Sequence, residues 1–102
     1  MKERKPFQKY GETFEYLDSN EQTGLYLYQR KNSDGDVTSY EVVKPIYDKR
    51  HDIYFYPCAA QFGTNGYFLP KRDLEFARWL LNHGLPKGGD IDRSRIEYLH
   101  SI

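Results

Sequence analysis

Residues 24–44 read GLYLYQRKNSDGDVTSYEVVK, two runs rich in Tyr, Val and Leu joined across Asp34-Gly35. That dipeptide readily supplies the positive φ angles of a type I′ turn, so the stretch predicts a β-hairpin. With Asp34 and Gly35 as the two loop residues, Ser33 faces Asp36, Leu25 meets Lys44, Leu27 meets Val42 and Gln29 meets Tyr40. Side chains alternate across a strand, so this register places Leu25, Leu27, Tyr40 and Val42 on one face, the natural core side. Tyr26, Tyr28, Arg30, Glu41 and Val43 fall on the other.

Beyond the hairpin, Pro45 limits how far the second strand can run in a paired ladder. YDKRHD, residues 47–52, reads as a polar connection into IYFY, residues 53–56, a third strand with Ile53 and Phe55 inward and Tyr54 and Tyr56 opposite. Next, CAAQF, residues 58–62, suits a helical turn, with Phe62 plugging the end of the sheet. Gly63 and Gly66 then allow chain reversal, and Tyr67-Phe68 begins a short extended piece. From Leu69 the period changes. Pro70 fits a first helical turn and Gly84 a left-handed cap, which predicts a helix over 71–83. Leu74, Ala77, Leu80 and Leu81 form its apolar stripe, Phe76 and Trp79 flank it, and Arg72, Glu75 and Arg78 face out.

The two ends are less regular. Phe7, Tyr10, Phe14 and Leu17 recur at helical spacing, but Gly11 would weaken a helix, so a strand over Thr13–Leu17 is preferred. LPKGGD after Gly84 reads as a linker, and DRSRIEYLHS as a short helix capped by Asp92 and anchored by Ile96 and Leu99. At 102 residues the chain is one domain, 1–102, with a flexible basic N-terminus at 1–11 and a linker and tail at 85–102. The fold class is α+β: a small antiparallel meander of three to five strands, one amphipathic helix on one face, and a helical tail.

Lys plus Arg equals Asp plus Glu at 15 each, and the balance holds within each half of the chain. A binder relying on phosphate neutralisation needs a basic excess, and only Lys2, Arg4, Lys5 and Lys9 cluster. The single cysteine excludes an internal disulfide, and no run reaches the length of a signal-peptide core or membrane span, so a cytoplasmic location and no membrane partner are expected. Cys58 with His51 or His83 could in principle supply nucleophile and base. Its neighbours Ala59 and Ala60 suit a small buried hydrophobe better. His51, His83, His100 and Cys58 lack close ligand spacing, and Asp34-Gly35-Asp36 is too short for a calcium loop. Phe62-Gly63-Thr64-Asn65-Gly66 matches no phosphate cradle, so no metal, cofactor or catalytic residue is expected.

What remains is tyrosine, ten in all. The register aligns Tyr26, Tyr28, Tyr54 and Tyr56 on the face away from the helix, with Arg30 and Glu41 among them. Exposed there, they would form a binding surface of the kind found at protein interfaces and base-stacking platforms. Arg30 is the only cation in the row and Glu41 opposes it, which favours a protein partner over nucleic acid.

TGLYLYQRK, SYEVVKP, YP and QFGTNGYF, in that order, resemble the pattern of a group of small proteins carried by bacterial phages and mobile elements. In that pattern an extended hairpin ending in a YEV-like strand precedes a YP step, an FGxxG turn and a short helix. Over roughly residues 13–83 the resemblance implies a phage-type accessory protein in a bacterial host cell and carries over no catalytic residues. The sequence thus points to a non-catalytic binding protein acting on a host protein, with a small nucleic-acid-binding module as the alternative.

Overall fold

The computed structural model describes residues 7–9, 11–63 and 68–102, with backbone alone at 7–9. Its strands are β1 (Phe7–Lys9), β2 (Glu12–Asn20), β3 (Leu25–Lys31), β4 (Val37–Val43), β5 (Ile46–Asp48), β6 (Ile53–Phe55) and β7 (Cys58–Phe62). Two helices follow, α1 (Pro70–His83) and α2 (Ile91–Ser101), separated by a 3-10 turn at Lys87–Gly89. One antiparallel sheet has the order β1-β2-β3-β4-β7, and β5 and β6 form a separate two-stranded ribbon. The α+β class and the antiparallel sheet with a helix on one face hold as expected.

The hairpin register holds over most of its length: Leu27 faces Val42, Gln29 faces Tyr40 and Arg30 faces Ser39. It slips by one at Lys31, which faces Val37, so the connection is wider than a two-residue type I′ turn. Asn32 organises it, its Oδ1 accepting from the backbone N–H of Asp34 and of Asp36, each at 3.0 Å. Gly35 takes φ +85° and Asp34 stays at negative φ, whereas a type I′ turn needs both positive. A side-chain acceptor at Asn32 has replaced part of the backbone turn.

Leu25, Leu27, Tyr40 and Val42 pack beneath α1 against Phe76, Ala77, Leu80 and Leu81, with Ala60 and Phe62 from β7. Phe76 is fully buried rather than flanking, in edge contact with Phe62 at 5.3 Å, while Leu74 is only partly buried. The helix is fixed at both ends. Leu69 N–H donates to Asp73 Oδ2 at 3.0 Å, satisfying a donor at its N-terminus. Near its C-terminus Thr23 Oγ1, from the β2–β3 turn, donates to Leu81 O at 2.7 Å. Gly84 closes the helix with φ +88° and ψ 167°, an extended positive-φ cap rather than a left-handed one, its N–H donating to Leu80 O.

Several expectations are corrected. Cys58–Phe62 is a strand beside β4, not a helical turn. Residues 53–55 do not extend the meander, because Pro45 and Pro57 bracket residues 46–56 and deny the segment continuous pairing at either end. The N-terminal strand is present and longer than expected, at Glu12–Asn20, and within the N-terminal segment expected to be flexible Phe7–Lys9 pairs with it. In the tail, Asp90 rather than Asp92 caps α2, accepting from Arg93 N at 3.1 Å. Ile96 and Leu99 are exposed and do not anchor it. Arg95 instead lies over Phe76 at 4.6 Å and approaches Asp73, and Tyr98 meets Phe76 and Trp79. The turn at Thr64–Gly66, the start of the extended piece at Tyr67, and the basic residues Lys2, Arg4 and Lys5 lie outside the described residues. Gly63 takes φ +120°, and a Cβ there would meet Thr38 O at 2.6 Å, so only glycine permits this chain reversal.

Candidate functional site: an apolar ribbon beside a buried tyrosine cluster

The face of the sheet away from α1 carries Tyr26, Tyr28, Arg30 and Glu41 as assigned, but it is not an open aromatic row. Tyr26 and Tyr28 are each only 2 % exposed and pack with Val43, Tyr16 and Tyr56. Tyr16 meets both rings edge-on at 6.0 Å, and Tyr26 and Tyr28 stack on each other at 6.4 Å. Expected as exposed binding residues, these two belong to a second, smaller core. β3 therefore buries both of its faces, leucines toward the helix and tyrosines away.

Arg30 and Glu41 continue this face as an ion pair. Arg30 Nη2 lies 3.0 Å from Glu41 Oε1, its Nε 3.2 Å from Glu12, and its guanidinium covers the Phe14 ring at 4.8 Å. Gln61 Nε2 donates to the same Glu41 oxygen at 2.8 Å. With Glu41 only 8 % exposed, these contacts make the pair part of the fold rather than an approachable charge. Cys58 faces this cluster across Val43 and is exposed at the edge of the sheet, not the small buried hydrophobe expected from its alanine neighbours. Desolvation, with the charge of Glu41 second, pushes its thiol from 9.0 to about 11. At neutral pH it is protonated and a poor nucleophile. Among the described residues, no group of three or more His, Cys, Asp or Glu could hold a metal ion.

Tyr54 and Tyr56 part company with the sheet tyrosines. Tyr56 is partly buried against the cluster, while Tyr54 is exposed on the ribbon. Ile46 faces Phe55, Tyr47 faces Tyr54 and Asp48 faces Ile53. Ile46, Tyr47, Ile53, Tyr54 and Phe55 are all 41–54 % exposed, so both faces of this ribbon present large apolar side chains to solvent. The expectation that Ile53 and Phe55 turn inward is overturned: they are 45 % and 51 % exposed, and among the described residues no core lies beneath them. The strands pack chiefly on each other. Tyr47 and Tyr54 rings lie 5.0 Å apart.

The ribbon's turn is held by polar contacts. Asp48 Oδ1 accepts from Arg50 N at 2.9 Å and its Oδ2 meets His51 Nδ1 at 2.7 Å, which, with the histidine bond foremost, holds the Asp48 carboxyl below its usual range. Tyr47 donates to Asp52, which raises the phenol above its ordinary value, and Asp52 itself sits at φ +52°. Sequence reasoning missed Ile46 and Tyr47 by reading a polar connection and misassigned Ile53 and Phe55. The signal available was the pair of prolines at 45 and 57 with six large apolar or aromatic residues between them.

Comparison with family models, with curated proteins and with solved structures finds no match to this chain. No helix is long and apolar enough to cross a membrane among the described residues.

Proposed function

We propose that this chain is a non-catalytic binding protein that docks on another protein through the β5–β6 ribbon. One observation carries the reading. A two-stranded ribbon is marginal in water by itself, yet this one exposes five large apolar side chains and packs mainly on itself. A partner that covered Ile46, Tyr47, Ile53, Tyr54 and Phe55 would remove that surface from water and stabilise the ribbon at once. The resemblance to small proteins of phages and mobile elements supports a host protein as that partner and the bacterial cytoplasm as the place of action. The protonated thiol of Cys58 supports a role without covalent chemistry.

The test is site-specific photo-crosslinking in a bacterial lysate, with a benzophenone side chain at position 54 and, as control, at Glu75 on the exposed side of α1. One protein captured from position 54 and absent from position 75 supports the reading. Equal capture at both, or none at either, rejects it. Lys49 and Arg50 in the turn beside Tyr47 and Tyr54 favour a second reading, single-stranded nucleic acid stacked on the ribbon. Nuclease-sensitive capture with a steep loss of affinity in added salt would select it.

A further inference from the structure

A second site lies away from the ribbon, where the chain leaves α1 and enters α2. Here a cleft of about 450 Å³ is walled by Trp79, Leu85 and Pro86, with Lys87 and Arg93 among the residues at its rim. Its volume falls within the range of about 300–1,000 Å³ typical of small-molecule sites. Ser94, only 4 % exposed, lines it as well, and no hydrogen bond of the described residues engages its hydroxyl. His83 stacks on the Trp79 indole at 4.0 Å, held there by its Nδ1–H donating to the Trp79 backbone carbonyl, and so backs the wall.

The charges narrow the ligand. Lys87 has no ion-pair partner among the described residues, and Arg93 pairs only loosely with Glu97, at 3.8 Å. Two cations against one carboxylate leave the rim with a single net positive charge, suited to a monoanion. The indole, leucine and proline of the wall suit an apolar body, and an arginine fork suits a planar carboxylate. We propose that this cleft binds a small apolar carboxylate, its charge held by Arg93 and Lys87 and its body laid against Trp79, Leu85 and Pro86. That chemistry is shared by free acids and by the C-terminus of a peptide ending in an apolar residue.

Trp79 is the only tryptophan in the chain, so tryptophan emission reports the surroundings of this one wall residue, with the core rings Phe76 and Tyr98 on its other side. The protein is titrated with phenylacetate, hexanoate and acetyl-Ala-Ala-Leu, each beside its neutral amide. A saturable change in emission with the acids, weakened roughly tenfold or more in the amides and in a Lys87→Gln/Arg93→Gln variant, is expected. Saturation by the small acids alone identifies a free metabolite-like ligand, and by the tripeptide alone a chain terminus. Because both substituted residues are exposed, the variant keeps the wild-type circular dichroism spectrum. No saturable change up to about 10 mM, or equal binding of the amides or by the variant, overturns the proposal. The ribbon takes no part, so this result stands apart from the proposed protein interface.

Discussion

Tyr26 and Tyr28 on the central strand, and Tyr47 and Tyr54 on the ribbon, are the same residue in the same kind of local structure and end in opposite environments. The first pair is 2 % exposed, the second 45 % and 41 %. β3 has β2 and β4 on its two sides and α1 over one face, so rings projecting from the remaining face are roofed by neighbours on adjacent strands, Tyr16 and Val43. Each strand of the ribbon has the other as its single partner, and among the described residues no element packs closely above or below them. Burial of an aromatic side chain is thus a property of the layers around its strand, not of the residue or its alternation.

The sharpest way to break this comparison is to truncate one ring from each region. Tyr26→Ala removes a packed ring from a closed cluster and should cost about 3–5 kcal/mol in urea unfolding, enough to threaten folding of a chain this small. Tyr54→Ala should change stability by less than about 1 kcal/mol, since its ring is 41 % exposed and meets Tyr47 and Tyr56 at the ribbon's surface. Equal losses would show that the ribbon is an integral part of the core.

The next largest effect concerns the charges that edge the tyrosine cluster. Arg30→Met leaves Glu41 buried without its cation and should cost roughly 3 kcal/mol. The double change Arg30→Met/Glu41→Leu should recover most of that loss, because no orphaned charge remains. A double variant as unstable as the single would mean the pair's neighbours, not its charge balance, set the stability.

Cys58 lies where ribbon and sheet meet; the residue is exposed while its thiol is desolvated, so its chemistry measures how far water is kept from that sulfur. With its thiol near 11 instead of 9.0, carbamidomethylation at pH 7 should run about a hundredfold slower in the folded chain than in denaturant. The folded rate should keep climbing with pH until about 11. A rate that levels off near pH 9 would show the junction to be wet and the comparison overstated. The smallest effect is expected at the ribbon turn. The Asp48 carboxyl, lowered chiefly by its hydrogen bond to His51, contributes its full share above the ordinary value of 3.8. That share is lost as pH falls through the depressed value. Amide exchange at Arg50 and His51 should therefore quicken below pH 4 with the sheet unchanged; a protected turn at that pH would show that Asp48 is not what holds it.

Much of the fold was legible because it is written in local patterns. The LYLY and SYEVV runs set a two-residue period, and 70–84 a helical one bounded by Pro and Gly, so register, faces and the helix follow without knowledge of the rest. The candidate site was legible only in part. Which face each tyrosine occupies is local information, whereas whether that face is covered depends on Tyr16, forty residues before Tyr56, reaching the same patch of sheet. Likewise Asp73 is nearly fully buried, between Leu69 N–H, Arg72 and Arg95, a meeting of the start of α1 with α2 that composition does not foretell.

By itself the sequence determined the strands of the hairpin, their pairing, and the helix that lies on their leucine face, since backbone geometry and alternation act over a few residues. The tertiary structure alone decided which aromatic rings are dry and which stand in solvent. Solvent exclusion needs a second layer, and a strand carries no record of whether one will arrive.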